Sequence, residues 1–130
     1  TVPSLAEPMN PPLAAVFDPE LALKRCLNKR DLLQQMIAFF VEDANNFLPQ
    51  MRAALQKGDL VEVGRLGHRL KGSISHIGAE AAREAALPVE RFMLHAGERA
   101  EAEEAVRAFE RECKALTAAL NAYQAATNTV

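Results

Sequence analysis

Aromatic residues are scarce in this chain, at 5%, and tryptophan is absent. β-Branched residues are few as well, while Ala and Leu supply much of an apolar content of 49%. That balance disfavours sheet and favours helix. Length sets no obstacle, since 130 residues suffice for one domain with its own core. A surplus of positive charge is missing too, the formal net charge being −2. The chain as a whole offers no attraction to nucleic acid or an anionic membrane, so any basic site has to be local. No apolar run approaches the roughly 18 residues of a membrane span, and no charged-then-apolar leader opens the chain. No direct membrane contact is expected, and a cytoplasmic setting is. Cysteine is limited to Cys26 and Cys113, far apart and within amphipathic patterns. Both read as small buried apolar residues in a reducing compartment, not as a disulfide. The chain does not begin with Met, which fits a piece of a longer protein or a processed N-terminus.

What is present divides the chain. Residues 1–16, TVPSLAEPMNPPLAAV, hold four of the seven prolines and read as a linker or a tail lying on the surface. Asp18 then offers an N-cap with Pro19 at the first helical position, starting a short helix to about Asn28. Asp31 can cap a second helix whose apolar residues Leu33, Met36 or Ile37, Phe40, Ala44, Phe47, Met51 and Leu55 recur every three or four positions. Pro49 should bend or open it, and Gly58 ends it near Lys57. Asp59 and Glu62 form a capping box for a third helix that stops near Gly78. A fourth runs from about Glu80 to Leu94 with a kink at Pro88. In the last, Ala102, Val106, Phe109, Cys113, Leu116, Leu120 and Tyr123 alternate steps of four and three, the seam of a shallow-angled bundle. Short connections make neighbours antiparallel. The expected fold is all-α: an antiparallel up-and-down four-helix bundle over residues 17–126 with an additional short N-terminal helix, and a C-terminal tail at 127–130.

The third helix contains GRLGHRLKGSISHIGA, Gly64 to Ala79. With His68 at zero and about 100 degrees per residue, Val63, Leu66, Leu70, Ser73, Ile74 and Ile77 fall between roughly 140 and 240 degrees. His68 therefore points away from the core. Gly64, Lys71, Gly72, Ser75 and Ala79 lie within about 60 degrees of it on the outward stripe. The glycines are expected to leave a bare strip that another surface can approach. Lys71 can offset charge gained by His68, and Arg65 and Arg69 add positive potential on a flank or merely solvate it. An exposed imidazole with local cations and steric room suits a phosphoryl group that enters and leaves.

HRLKGSISHIGA closely resembles the signature of histidine-containing phosphotransfer (HPt) domains, His-x-Leu-Lys-Gly-Ser followed by Gly-Ala. The likeness runs from about Phe17 to Tyr123, and AAREAALPVERF is similar to the family's next helix, where small residues precede a Leu/Val–Glu pair. The resemblance implies that His68 is the phosphoaccepting residue through Nε2, that Lys71 lies beside the phosphoryl group, and that Gly72 permits a partner's close approach. It implies receiver domains of response regulators as partners, with the divalent ion on the receiver and no cofactor on this chain. A covalently linked hybrid sensor histidine kinase, joined through residues 1–16, fits the same pattern, as does a free-standing protein. Neither kinase nor hydrolase activity of its own is implied, and no Gly-rich phosphate loop is present. Ile74 and His76 depart from common family residues. His76 stands as a rival acceptor, but it lies about 80 degrees round the helix from His68, and no lysine follows it at i+3.

Blander readings stand beside this one. Neither Glu-x-x-His, His-x-x-x-His nor Cys-x-x-Cys-His occurs, so a bundle metal or haem site is not expected. His95 reads as a helix-end residue complementing the dipole. The main alternative is a structural or docking bundle that binds receivers without carrying phosphate.

Overall fold

The structure is a computed structural model that describes residues 16–128. The expected linker over residues 1–16 lies outside it except for Val16, which is buried together with Phe17. Five α-helices follow: α1 (Pro19–Arg25), α2 (Arg30–Lys57), α3 (Leu60–Ile74), α4 (Glu80–Glu90) and α5 (Arg99–Asn128). A 3₁₀ turn, Arg91–Met93, continues α4, and no strand occurs among the described residues. α2 packs on α3, α3 on α4 and α4 on α5, and α5 closes the ring against α2. The fold is thus the all-α bundle expected, with α1 set against α2 at one end.

Local chemistry explains most helix ends. The Asp18 carboxylate accepts the Leu21 amide at 3.2 Å and Pro19 opens α1. α1 stops at Arg25, earlier than expected, because Leu27 and Asn28 take left-handed φ values of 57° and 59°. The next cap also differs: Lys29 occupies it in extended backbone, and Asp31 sits in the first turn of α2. An acidic residue there still favours the positive helix end. Gly58, at φ 77°, ends α2. At α3 only half of the capping box forms. Asp59 accepts the Glu62 amide at 3.2 Å, but the Glu62 carboxylate pairs with Arg65 at 3.0 Å. α3 ends at Ile74, and the following turn is tied to α1 by the Asp18 amide donating to the Gly78 carbonyl at 3.0 Å. α4 stays helical through Pro88 before tightening, and α5 continues beyond residue 126.

Aliphatic side chains dominate the core. Leu33, Ile37, Phe40, Met51 and Leu55 of α2 meet Val63, Leu66, Leu70 and Ile74 of α3 and the α5 seam from Ala102 to Leu120. Ile37, not Met36, takes the fully buried position of the second helix. Cys26 and Cys113 are both free and buried, and burial pushes the Cys113 thiol up to about 12, leaving it an inert packing residue.

The α3/α4 seam is built on two glycines. A Cβ on Gly64 would fall on the backbone of Phe92 and Met93, and one on Gly67 would lie 2.6 Å from Val89 Cγ1. Gly64 is therefore buried and is not part of an open strip, contrary to the angular expectation. Its missing Cβ lets the 3₁₀ turn lie directly on α3. Ala79 is likewise buried, since α3 has ended before it and the helical angle no longer applies. Gly72 alone of the two flanking glycines is open, with no atom near its absent Cβ. Chemical denaturation should separate the two. Gly64→Ala should lose about 1–3 kcal/mol by overpacking against backbone. Gly72→Ala should gain about 0.5–1 kcal/mol from helix propensity. Equal effects at both positions would contradict this packing.

Candidate functional site

α3 presents His68 with its side chain 55% exposed, and Lys71 one turn later, half-buried. Close packing of α4 brings the last residue of that helix, Glu90, across the seam. Its Oε2 lies 2.6 Å from His68 Nδ1, and its Oε1 accepts from Lys71 Nζ at 2.7 Å. One carboxylate therefore holds both residues of the His-x-x-Lys pair. Glu90 was not singled out as a site residue by the sequence. The signal was the Val–Glu pair of the fourth helix, which has no visible relation to His68 until the two helices are packed.

The charge state of Glu90 decides how the imidazole is used. Burial by itself raises the Glu90 carboxyl, but hydrogen bonds from Lys71 and His68, with their positive charges, outweigh it and hold it below its ordinary value. An ionised carboxylate can only accept. Nδ1 must then carry the proton and donate to Glu90, so the Nε2 lone pair of a neutral ring points outward. The arrangement supplies a nucleophilic nitrogen facing solvent and a fixed negative charge behind the ring. It also places an ammonium beside the ring, with N–H donors beyond the one given to Glu90.

The other sequence candidates take different parts. Ser75 caps α3 and donates to the Lys71 carbonyl at 2.8 Å, while its own carbonyl accepts from Arg25 at 2.7 Å. Its role is to finish the helix. Arg65 is exposed and engaged by Glu62. Arg69 lies over the Phe47 ring, 4.4 Å from its centroid, on the α2 side of His68. Ser73, placed by angle with the core, donates to Asp43 of α2 at 2.5 Å. His76 lies beyond the end of α3, and among the described residues no carboxylate holds its ring. No group of three His, Cys, Asp or Glu side chains is placed to hold a metal among the described residues.

The Hpt domain family model matches residues 35–126, most of the bundle including all of α3 and α4. The chain belongs to the Hpt domain family. The match begins inside α2, so α1 lies outside it. Neither a curated protein nor a solved structure matches the chain. Hpt domains act in phosphotransfer within two-component phosphorelays and interact there with receiver domains. No helix of the described residues is long and apolar enough to cross a membrane.

Two measurements check the Hpt site. Two-bond ¹H–¹⁵N spectra above the imidazole titration should show His68 protonated on Nδ1, and Glu90→Ala should shift it toward the Nε2–H form. Wild type found as Nε2–H would contradict the geometry. A depressed carboxyl also contributes stability above its unfolded pKa and loses it as pH falls through the lower folded value. Glu90→Gln should therefore narrow the loss of stability on acidification below the ordinary carboxylate range near 4.3, measured by urea unfolding. An unchanged acid limb would contradict it.

Proposed function

We propose that this Hpt domain carries a phosphoryl group on Nε2 of His68, taking it from a receiver aspartate and passing it to another. The supporting observation is the Glu90 contact with Nδ1, which in a neutral ring leaves the lone pair on Nε2 of a side chain 55% exposed. In the forward step the Nε2 lone pair attacks phosphorus of the acyl phosphate and the N–P bond forms. The P–O bond to the aspartate breaks, and the electron pair leaves on the aspartate carboxylate. No proton has to move. The imidazole becomes cationic, with hydrogen on Nδ1 and phosphorus on Nε2, and the Glu90 carboxylate already faces that charge. Lys71 offsets the phosphoryl oxygens with donors not used by Glu90. The return step reverses the same bonds.

Docking has an available face. Val61, 52% exposed, shares the outer side of α3 with Arg65, His68 and Gly72. Leu87 of α4, one turn before Glu90, is exposed as well. Apolar contacts there supply the docking energy, and the open backbone at Gly72 lets the receiver's acidic site reach Nε2. Any divalent ion in the complex sits on the receiver. The same reading makes the domain a cytoplasmic module with no kinase or hydrolase activity of its own, suited to a hybrid sensor kinase with residues 1–16 as the join.

Incubation with a kinase-phosphorylated receiver tests this. The domain should acquire acid-labile, base-stable label that His68→Gln abolishes and His76→Gln retains. Lys71→Ala should slow transfer about tenfold or more, the loss of one charge-assisted hydrogen bond. Label persisting in His68→Gln would overturn the assignment. Receiver binding without label would favour a docking bundle that carries no phosphate.

A further inference from the structure

The His68 site occupies the α3/α4 seam, and the opposite side of the ring is the α2/α5 seam. Three hollows run along that second seam. The middle one shares Leu48, Pro49 and Lys114 with the first and Asn45 and Asn121 with the third, so they form one groove. Its character changes along its length. Glu42, Asn45, Asn46, Asn121 and Gln124 line one end, which is therefore not cationic, and Ala44, Cys113, Thr117 and Ala118 line the middle. At the other end a hollow of about 480 Å³ is lined by the apolar pair Leu48 and Pro49 together with Arg52, Arg107, Glu110, Arg111 and Lys114.

Four cations and one carboxylate, Glu110, line this hollow, and with the Glu103 partner of Arg107 counted the patch keeps two surplus positive charges on a chain of net charge −2. Arg52 is occupied, gripping Glu110 across the seam. Arg107 pairs with Glu103 at 3.2 Å on the exposed helix surface, where such a pair is readily exchanged. Arg111 and Lys114 have no ion-pair partner among the described residues. The cations of α5 recur on successive turns and span about 10 Å from residue 107 to 114 at 1.5 Å per residue. A single phosphate cannot bridge that distance, but carboxylates repeating every three or four residues on a second helix can. The apolar pair Leu48 and Pro49 beside them suits the other face of the same helix.

We propose that the α2/α5 groove docks an acidic amphipathic helix of a partner protein. Its apolar ridge lies on Leu48 and Pro49, and its carboxylates meet Arg107, Arg111 and Lys114. Charge complementarity sets its orientation along the groove. The groove faces away from His68, so this partner and a receiver can be held at once. The domain would then tether a second protein without blocking phosphotransfer.

The probe is a labelled 15-residue helical peptide with leucines on one stripe and glutamates on the adjoining one. A control peptide keeps the glutamates and replaces the leucines by serine. Fluorescence anisotropy at low salt should show saturable binding of the first, weakened about tenfold or more by Arg111→Glu/Lys114→Glu. Amide shifts should map to residues 41–52 and 107–121. The same variant should accept phosphate on His68 at the wild-type rate, which separates failure here from failure of the proposed function. No saturation up to millimolar peptide would overturn the proposal, as would indifference to the variant or shifts centred on His68. Equal binding of the control peptide would also overturn it, because charge alone would then account for the affinity.

Discussion

The close approach of α3 and α4 sets everything else at the functional site. Gly64 and Gly67 present no Cβ to the neighbouring helix, so the Phe92–Met93 backbone and Val89 sit directly on α3. That closeness puts Glu90 within hydrogen-bonding reach of both His68 and Lys71. Side chains at either glycine position would push α4 outward. A carboxylate displaced by even an ångström or so loses most of a hydrogen bond. Core packing and site geometry are thus one problem here.

Glu90 performs two electrostatic tasks with one charge. It fixes which ring nitrogen holds the proton, and it restrains an ammonium that would otherwise sample many rotamers. Neither task needs a dry pocket. An imidazole 55% exposed keeps its nucleophilic edge in solvent, where a large partner surface can meet it. On the proposed function, the rest of the catalytic environment would come from the surface of the docked partner. This division of labour suits a small bundle with few aromatic residues.

Much of this was legible in the sequence. The four-three seam of α5 and the core face of α3 follow from period alone, because each core residue of those helices repeats with the turn. That His68 and Lys71 share one face of α3 was legible for the same reason, the two being three residues apart on one helix. Gly64 was misplaced because a helical angle says which way a residue points, not where the next helix lies. The α4 seam covers the side of α3 that carries Gly64 and Lys71, so a position about 40 degrees from His68 is already buried. Glu90 was hidden for a related reason: a contact between residues 22 positions apart depends on packing, which no local pattern encodes. The half-formed capping box at Asp59 and the early end of α1 show local signals yielding to neighbouring charge and to left-handed backbone.

If Glu90 holds His68 as proposed, Nε2 is the phosphoryl acceptor. Nitrogen-15 and phosphorus-31 spectra of the ¹⁵N-labelled domain after transfer from a phosphorylated receiver test it most directly. Phosphorus should couple to Nε2 of His68, with hydrogen retained on Nδ1 against Glu90. Phosphorus on Nδ1 of His68, or on His76, would contradict it.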